Sequence, residues 1–334
     1  MCENGGIVNR TIKTIFSLVV VATMHAHADD GAASIAAGGL VVMGRETRVT
    51  MAKEVLKISM DKVIVDYDFR NDGDEDVTTQ VAFPIPDYEF DMSEMLPSDQ
   101  GFDHFLLWID GQPTAFKTET RALVKGKDLT QLLAVMHVDV GSFGHSTSND
   151  HSPDILRLSD AQRKQLERAG LLDSQYDEPN WTVRKKYYWQ QTFPAHKVVH
   201  IRHEYTPVLG SDNSISYGMG PGADPASVKE LQSFCFDNGL RKTFNQLQSQ
   251  NKDASYFYVD FILTTANTWK TPIEDFTLIV ERPHLEGELA DYVSFCWDGP
   301  VTKIDADHFS AKATNFIPAK ELRIGFFGVE HRRF

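Results

Sequence analysis

The 334-residue chain carries 33 Lys or Arg and 47 Asp or Glu side chains, which gives a formal net charge of −14. An acidic surface repels phosphate backbones, so the composition argues against nucleic acid as a partner. With 42 % hydrophobic and 24 % charged residues, the sequence has the composition of a globular protein that can bury a large core, as one long domain or two smaller ones.

Residues 1–28 have the three parts of a secretory signal peptide. Arg10 and Lys13 supply the positive start, residues 15–22 form a short apolar run, and Ala26-His27-Ala28 places small residues where signal peptidase cleaves. The apolar run is much shorter than the roughly 20 residues needed to span a bilayer. We therefore predict cleavage after Ala28, a periplasmic or secreted location, and at most peripheral contact with a membrane.

Residues 29–124 form a first β-rich region. Apolar side chains alternate with polar ones from Val63 to Phe69, and an apolar face resumes from Val77 to Phe83, which is typical of strands with one buried side. The turn-forming segment Asn71-Asp72-Gly73-Asp74 between them predicts a hairpin, and Pro84-Ile85-Pro86 predicts the end of its second strand.

Residues 125–175 have the pattern of a small helical insertion. A short helix is expected from Asp128 through Met136, followed by a loop rich in His, Ser and Asp. Ser159 is followed three residues later by Gln162, which is a capping box, so a second helix is predicted to begin there and to end at Gly170.

Residues 176–334 return to the β pattern. Strands are predicted near 181–193 and 199–205 as partners of each other. Asp224-Pro225 predicts the start of one helix, and a second is expected near 239–249. Further strands are predicted from there to the C-terminus.

The order of these elements predicts the fold class. The strands do not alternate with long helices, which disfavours a parallel α/β sheet. We predict a mainly β fold, an antiparallel β-sandwich that is either one large sandwich or two sandwich-like halves, with the helical insertion between them.

Two cysteines remain after removal of the signal peptide, which takes Cys2 with it. In an oxidising compartment Cys235 and Cys296 are expected to form a disulfide bond. The alternative is a metal-binding or redox pair, but the sequence has no C-x-x-C and no histidine beside either cysteine.

His196, His200 and His203 form the most conspicuous candidate metal cluster. Their neighbours are strongly β-forming, and in a strand His196 and His200 lie about 13 Å apart while His203 points to the opposite face. Three such side chains cannot share one Zn²⁺ with bonds of about 2 Å. We interpret His203 as a hydrogen-bonded core histidine, with a binding role as the alternative.

Tyr188 is the aromatic residue best placed to bind a ligand. It has the opposite parity to Tyr187 and Trp189 in the same predicted strand, so it is expected on the outer surface, where it could stack on a sugar or a peptide. The alternative is a purely structural role. The loop from Asp139 to Asp154, together with His137, contains possible ligands for a divalent metal, but its irregular spacing favours a solvated loop. We expect neither a metal nor a cofactor.

Two groups of segments carry a resemblance to a known family, namely residues 36–40, 51, 63–71 and 81–87, and residues 189–195 and 203–207. They include Val-Ile-Val-Asp-Tyr-Asp-Phe-Arg-Asn and Trp-Gln-Gln-Thr-Phe-Pro-Ala. In this order they resemble the bacterial exported family called domain of unknown function 4424 (DUF4424), over essentially the whole mature chain. The resemblance implies a periplasmic or secreted protein, and no catalytic residue, because the family has no established activity.

The function expected from these observations is that of an exported, non-enzymatic binding or interaction protein of the cell envelope. Its partner would be a protein or another envelope component. One alternative is a hydrolase of envelope polymers that uses carboxylates and His203 beside the 137–154 loop. The other is a carrier of a small apolar ligand.

Overall fold

The computed structural model describes most of the chain after residue 36. The described residues are 37–38, 41–42, 45–84, 88–89, 104–140, 155, 157–175, 179–207, 209–212, 215–220, 222–249, 253–282 and 292–330. No helix among them is both long enough and apolar enough to cross a membrane.

The described residues contain strands throughout and helices in two places. The strands are β1 Ala37–Gly38, β2 Val41–Val42, β3 Val49–Ile58, β4 Val63–Asn71, β5 Val77–Pro84, β6 Tyr88–Glu89, β7 Leu106–Ile109, β8 Gln112–Pro113, β9 Lys117–Val124, β10 Lys127–Asp128, β11 Thr182–Phe193, β12 Lys197–Tyr205, β13 Gly210–Asp212, β14 Asp253–Ile262, β15 Ile273–Glu281, β16 Tyr292–Phe295, β17 Val301–Lys303, β18 His308–Phe316 and β19 Leu322–Glu330. The helices are α1 Thr130–Val135, α2 Asp160–Ala169, α3 Pro225–Ser233 and α4 Asn238–Gln248, with 3₁₀ turns at Ile215–Gly218 and Thr264–Thr268.

The described strands form three sheets. The large sheet has eight strands in the order β17-β18-β15-β3-β4-β12-β7-β8. A six-stranded sheet has the order β10-β9-β11-β5-β2 with β6 beside β11, and a five-stranded sheet has the order β1-β14-β19-β16 with β13 beside β14. Nearly all neighbours are antiparallel; β3 with β15 and β1 with β14 are the parallel pairs among them. The mainly β sandwich with a helical insertion is thus confirmed.

One apolar core joins the three sheets. Residues of the large sheet such as Phe69 pack with Phe193 of the six-stranded sheet and Phe326 of the five-stranded sheet in a single cluster. Strand β4 shows why the sequence folds this way, because every second residue from Val63 onward is buried while Asp66, Asp68 and Arg70 face outward. The large sheet combines strands from both β-rich regions, since β4 lies between β3 and β12.

The predicted hairpin and the predicted pairing of strands 181–193 and 199–205 are both wrong, and for one reason. Strand β4 pairs with β3 and β12 in the large sheet, whereas β5 pairs with β11 and β2 in the six-stranded sheet. Likewise β11 and β12 belong to different sheets. Alternation specifies which side of a strand is buried, but not which strand pairs with its edge, so the next strand along the chain can lie beside it in the same sheet or across the core in the facing sheet.

The chain passes between the large sheet and the six-stranded sheet twice, at residues 72–76 between β4 and β5 and at residues 194–196 between β11 and β12. Asn71 connects these two segments, which together we call the double corner. The buried Asn71 carboxamide donates hydrogen bonds of 2.9 Å to the backbone carbonyls of Glu75 and Phe193, and its oxygen accepts one from Gly73 N at 2.9 Å. Both N–H groups and the oxygen of the Asn71 carboxamide are therefore hydrogen-bonded, as is usual for a buried amide.

Two further contacts close the double corner from the solvent side. Ala195 N donates to Asp76 Oδ1 at 2.8 Å, and His196 Nε2 lies 3.0 Å from Asp74 Oδ1. His196 adopts a φ of 56°, which reverses the chain direction between β11 and β12. The turn predicted at residues 71–74 therefore exists, but it connects two sheets.

The predicted helices are confirmed, with small changes at their boundaries. Ser159 and Gln162 form the capping box of α2, and Gly170 ends it with a φ of 77°. Asp224 caps α3 through a hydrogen bond from Ser227 N. The first helix begins at Thr130, where the Asp128 carboxylate accepts the hydrogen bonds of the Thr130 backbone N–H and hydroxyl. Residues 141–154 of the predicted loop lie outside the described residues.

The predicted disulfide bond is present. Cys235 and Cys296 are joined with a Cα–Cα distance of 5.0 Å across a sequence separation of 61 residues. The bond connects the segment after α3 to the end of β16, so it ties the helical part of the C-terminal region to the five-stranded sheet.

Replacement of Asn71 by Asp is expected to lower the free energy of unfolding by about 3 kcal/mol, because it removes two buried donors and sets a carboxylate against two carbonyl oxygens. Urea unfolding measures the change. Asn238→Asp, at the exposed first position of α4, is the matched control and should stay within about 0.5 kcal/mol of the parent. Equal effects of the two substitutions would contradict the role assigned to the double corner.

Replacement of both Cys235 and Cys296 by Ala is expected to cost about 4 kcal/mol, since the disulfide removes the closure entropy of a long loop from the unfolded chain. Urea midpoints of the oxidised parent, the reduced parent and the double variant measure this cost. Reductant should lower the midpoint of the parent to that of the variant and leave the variant unchanged. A parent that is insensitive to reductant would contradict the prediction.

Candidate functional site

His203 lies in the core of the sandwich. Its side chain is 0 % exposed, and its ring centroid lies 5.5 Å from that of Tyr67, 4.8 Å from that of Phe83 and 5.4 Å from that of Phe105. The predicted core position is confirmed. The predicted hydrogen bond is not, because neither ring nitrogen has a partner among the described residues. Burial lowers the pKa of His203 to about 3, so the imidazole is neutral, and it has no contact with solvent.

The histidine cluster has the predicted strand geometry. His200 faces outward from the large sheet, with Nδ1 2.9 Å from Asp68 Oδ1, while His203 faces the core. His196 precedes the strand at the double corner. Within the described part of the chain, no group of three His, Cys, Asp or Glu side chains is arranged to hold a metal ion.

Tyr188 lies on the outer face of the six-stranded sheet, as its parity predicts. It is half-buried, its backbone neighbours are Ala82 and Lys117, and Lys186 Nζ lies 5.8 Å from the centre of its ring. Lys186 also pairs with Glu119 at 3.1 Å. A role of Tyr188 or His203 in ligand binding stays a prediction.

Glu54 is a buried acid that the sequence analysis missed. It is 2 % exposed and lies between Tyr67 of β4 and Phe276 of β15. The pairing of β3 with β4 shifts by one residue between Met51 and Lys53, and such a bulge reverses the parity of all later residues. Glu54 therefore faces the core. Burial raises the pKa of its carboxyl to about 8, so the side chain is protonated at neutral pH.

A pocket of about 210 Å³ lies near the disulfide bond. We call it the Trp297 pocket; it is lined by Leu263 and by residues 296–299, 312–313, 316–317 and 319–322. These residues come from the ends of β14, β16 and β18 and from the segment that enters β19. No single stretch of sequence contains the pocket, and the sequence analysis did not find it.

Aromatic rings form one wall of the Trp297 pocket. The Trp297 ring lies 5.4 Å from that of Phe316, and both pack on the fully buried Phe276 at 5.6 and 4.9 Å. Ile317 stands at the opening with 63 % of its surface exposed. Because Cys296 precedes Trp297, the disulfide bond fixes the chain at this wall.

Four charged residues, Asp298, Lys312, Lys320 and Glu321, line the same pocket. Asp298 is paired with Lys320 at 3.4 Å, and Glu321 accepts hydrogen bonds from the backbone N–H and the hydroxyl of Thr264. The Lys312 ammonium has no ion pair with any described residue. The pocket thus combines an apolar wall with carboxylates that are already engaged.

A second cavity of about 310 Å³ lies at the edge of the helical insertion. It is lined by residues 123–126 and 179–182, which are mostly turn and strand-end residues. Lys125 is its one charged side chain among the described residues, so it offers fewer groups to orient a ligand.

The fold and the Trp297 pocket together define a mainly β sandwich protein with a surface pocket of ligand size. The chain belongs to the family described as "Domain of unknown function (DUF4424)", whose model matches residues 28–324. The family predicted from the sequence is therefore confirmed.

One solved structure that matches this chain is that of a "putative nutrient binding protein" from Legionella pneumophila subsp. pneumophila str. Philadelphia 1. It is 17 % identical, with a TM-score of 0.48, and the match covers 89 % of this chain and 73 % of that one. No curated protein matches the sequence.

Glu54→Gln is expected to stabilise the protein increasingly as the pH rises. In the parent, the unfolded chain ionises Glu54 from about pH 4.5 whereas the folded protein keeps it protonated to about pH 8. Stability is therefore lost between these values, by up to about 5 kcal/mol. Urea unfolding at pH 5 and pH 8 measures the difference, with the exposed Glu75→Gln as control. An advantage of Glu54→Gln that is the same at both pH values would contradict this assignment.

His203 acts in the opposite direction. The unfolded chain protonates His203 below about pH 6.5, whereas the folded protein does so only near pH 3. The free energy of unfolding therefore falls as the pH falls through this window. Between pH 4.5 and 6.5 the effects of Glu54 and His203 cancel. The Glu54→Gln variant should therefore gain stability from pH 5 to pH 6.5, whereas the parent stays nearly constant; urea midpoints across this range check it.

Proposed function

We propose that this protein is an exported binding protein that holds a small ligand in the Trp297 pocket. The observation that carries the proposal is the pocket itself, in which an aromatic wall stands beside a small number of polar groups. Pockets that bind small molecules commonly have this composition, since the apolar wall supplies affinity and the polar groups fix orientation. The family membership is consistent with this function and assigns no other.

Export is supported by two independent features. The disulfide bond between Cys235 and Cys296 is typical of an oxidising compartment, and residues 1–28 have the pattern of a signal peptide. These features support a location in the periplasm or outside the cell, where the ligand would be a component of the envelope or of the surrounding medium.

The geometry disfavours the hydrolase alternative in the form that uses His203. A general base must come within hydrogen-bond reach of its substrate, and His203 is enclosed by Tyr67, Phe83 and Phe105 in the core. The carrier alternative is closer to the present proposal, but the Trp297 pocket lies at the surface and contains charged groups.

Export is tested by producing the full chain in a Gram-negative host and fractionating the cells. The mature protein is expected in the periplasm with Asp29 as its first residue, as shown by intact mass. Val20→Arg interrupts the apolar run and should keep the chain in the cytoplasm. Full-length protein in the cytoplasm for both forms would contradict export.

Binding is tested by equilibrium dialysis of the mature, oxidised protein against small molecules extracted from envelopes, followed by mass spectrometry of what is retained. Ala319→Trp fills the pocket at an exposed lining position, and Ala134→Trp on the exposed side of α1 is its control. The parent and the control should retain a compound that the Ala319→Trp variant does not. Retention by all three, or by none, would contradict the proposal.

A further inference from the structure

The volume of the Trp297 pocket limits the size of its ligand. The pocket measures about 210 Å³, whereas an apolar cavity of about 150 Å³ holds one benzene molecule. The difference of about 60 Å³ is roughly twice the volume that one water molecule occupies in the liquid. The pocket therefore has room for one ring with a short substituent, and a fused second ring exceeds it.

The wall of the pocket favours an aromatic ring over an aliphatic one. Trp297 and Phe316 both line the pocket, with their ring centres 5.4 Å apart and their planes tilted by 46°. Both side chains are only half-buried, so each has surface left for a further ring. Contacts between aromatic rings in offset or edge-to-face geometry are more favourable than burial of the same area alone.

Lys312 does not face the aromatic wall. In β18 it pairs with Thr277 of β15, whereas the next residue, Ala313, pairs with Phe276 beneath the wall. Successive side chains of a strand leave the sheet on opposite faces, so the Lys312 side chain starts from the face away from Phe276. An anionic ligand on the aromatic wall therefore gains no ion pair from Lys312.

The other charged residues of the pocket are exposed and already have partners. Asp298 and Lys320 pair with each other at 3.4 Å, and 90 % and 59 % of their side-chain surfaces are exposed. Glu321 is exposed as well, and its carboxylate accepts the hydrogen bonds of the Thr264 N–H and hydroxyl. Solvent and these contacts together stabilise the three charges.

A charged ligand gains little in such a pocket. Moving an ionised group out of water is costly unless it meets a partner of opposite charge. An anion has to compete with Asp298 for Lys320, and a cation has to compete with Lys320 for Asp298, so each exchange breaks one contact for the one it makes. An uncharged ring avoids this cost, and its burial against the wall is favourable.

We infer that the ligand of the Trp297 pocket is an uncharged aromatic compound with a single ring and at most a short substituent. The ring packs against Trp297 and Phe316. A neutral polar substituent stays hydrated at the opening of the pocket. This inference rests on the proposed function, since it names the ligand class of the same pocket.

The test compares compounds of nearly equal size on the mature, oxidised protein. Benzyl alcohol is the neutral aromatic probe; benzoate, benzylammonium and cyclohexylmethanol are its anionic, cationic and aliphatic counterparts. NMR titration of the ¹⁵N-labelled protein measures each dissociation constant at the indole N–H of Trp297, which is assigned by its absence in Trp297→Phe. Benzyl alcohol is expected to bind at least about tenfold more tightly than either ion, and at least about threefold more tightly than cyclohexylmethanol.

A pair of matched variants tests the contact with the wall. Phe316→Leu keeps an apolar side chain and removes one ring, so it should weaken binding of benzyl alcohol about threefold and leave that of cyclohexylmethanol nearly unchanged. Phe309→Leu is the control, because Phe309 lies in the same strand and is also half-buried, but is not among the residues that line the pocket. It should change neither affinity.

The outcomes separate this inference from the proposed function. A preference for benzyl alcohol that decreases in Phe316→Leu and persists in Phe309→Leu supports the ligand class. Equal or tighter binding of benzoate, benzylammonium or cyclohexylmethanol would overturn it. If none of the probes binds while the dialysis experiment still shows a compound that Ala319→Trp loses, the ligand class is wrong and the proposed function stands.

Discussion

The hydrogen bonds of the Asn71 carboxamide hold together the two points at which the chain passes between the large sheet and the six-stranded sheet. Because β4 and β12 leave from these points in one sheet, and β5 and β11 in the other, the contact fixes the register of four central strands. Two of the segments that carry the family resemblance, residues 63–71 and 189–195, end here. The rest of the sandwich is built outward from these four strands.

The buried acid and the pocket are linked through one side chain. Phe276 is the neighbour of Glu54 in the large sheet, and its ring forms the base on which Trp297 and Phe316 pack. The pocket wall therefore rests on the core itself, and the disulfide bond holds its outer side. A pocket supported in this way keeps its shape without a ligand, which reduces the entropic cost of binding.

The candidate site shows where inference from the sequence ends. The outward orientation of Tyr188 in β11 and the burial of His203 in β12 each follow from alternation within its own strand, and both were predicted. The burial of Glu54 depends on a bulge that reverses the parity within β3, and the lining of the Trp297 pocket comes from segments between Leu263 and Leu322 that are distant in sequence. The sequence predicted neither. A surface of this kind exists only after the strands have been placed.

The sequence by itself determined the strands, the helix caps and the disulfide partners, because each depends on nearby residues or on a small number of possible pairings. Ser159 with Gln162 specifies a helix start within four residues, and two cysteines allow one bond. Only the tertiary structure decided which strands are neighbours. Alternation requires that one face of β4 be covered by a facing sheet, but it does not specify which strands pair with the two edges of β4, because every strand offers the same row of backbone N–H and C=O groups.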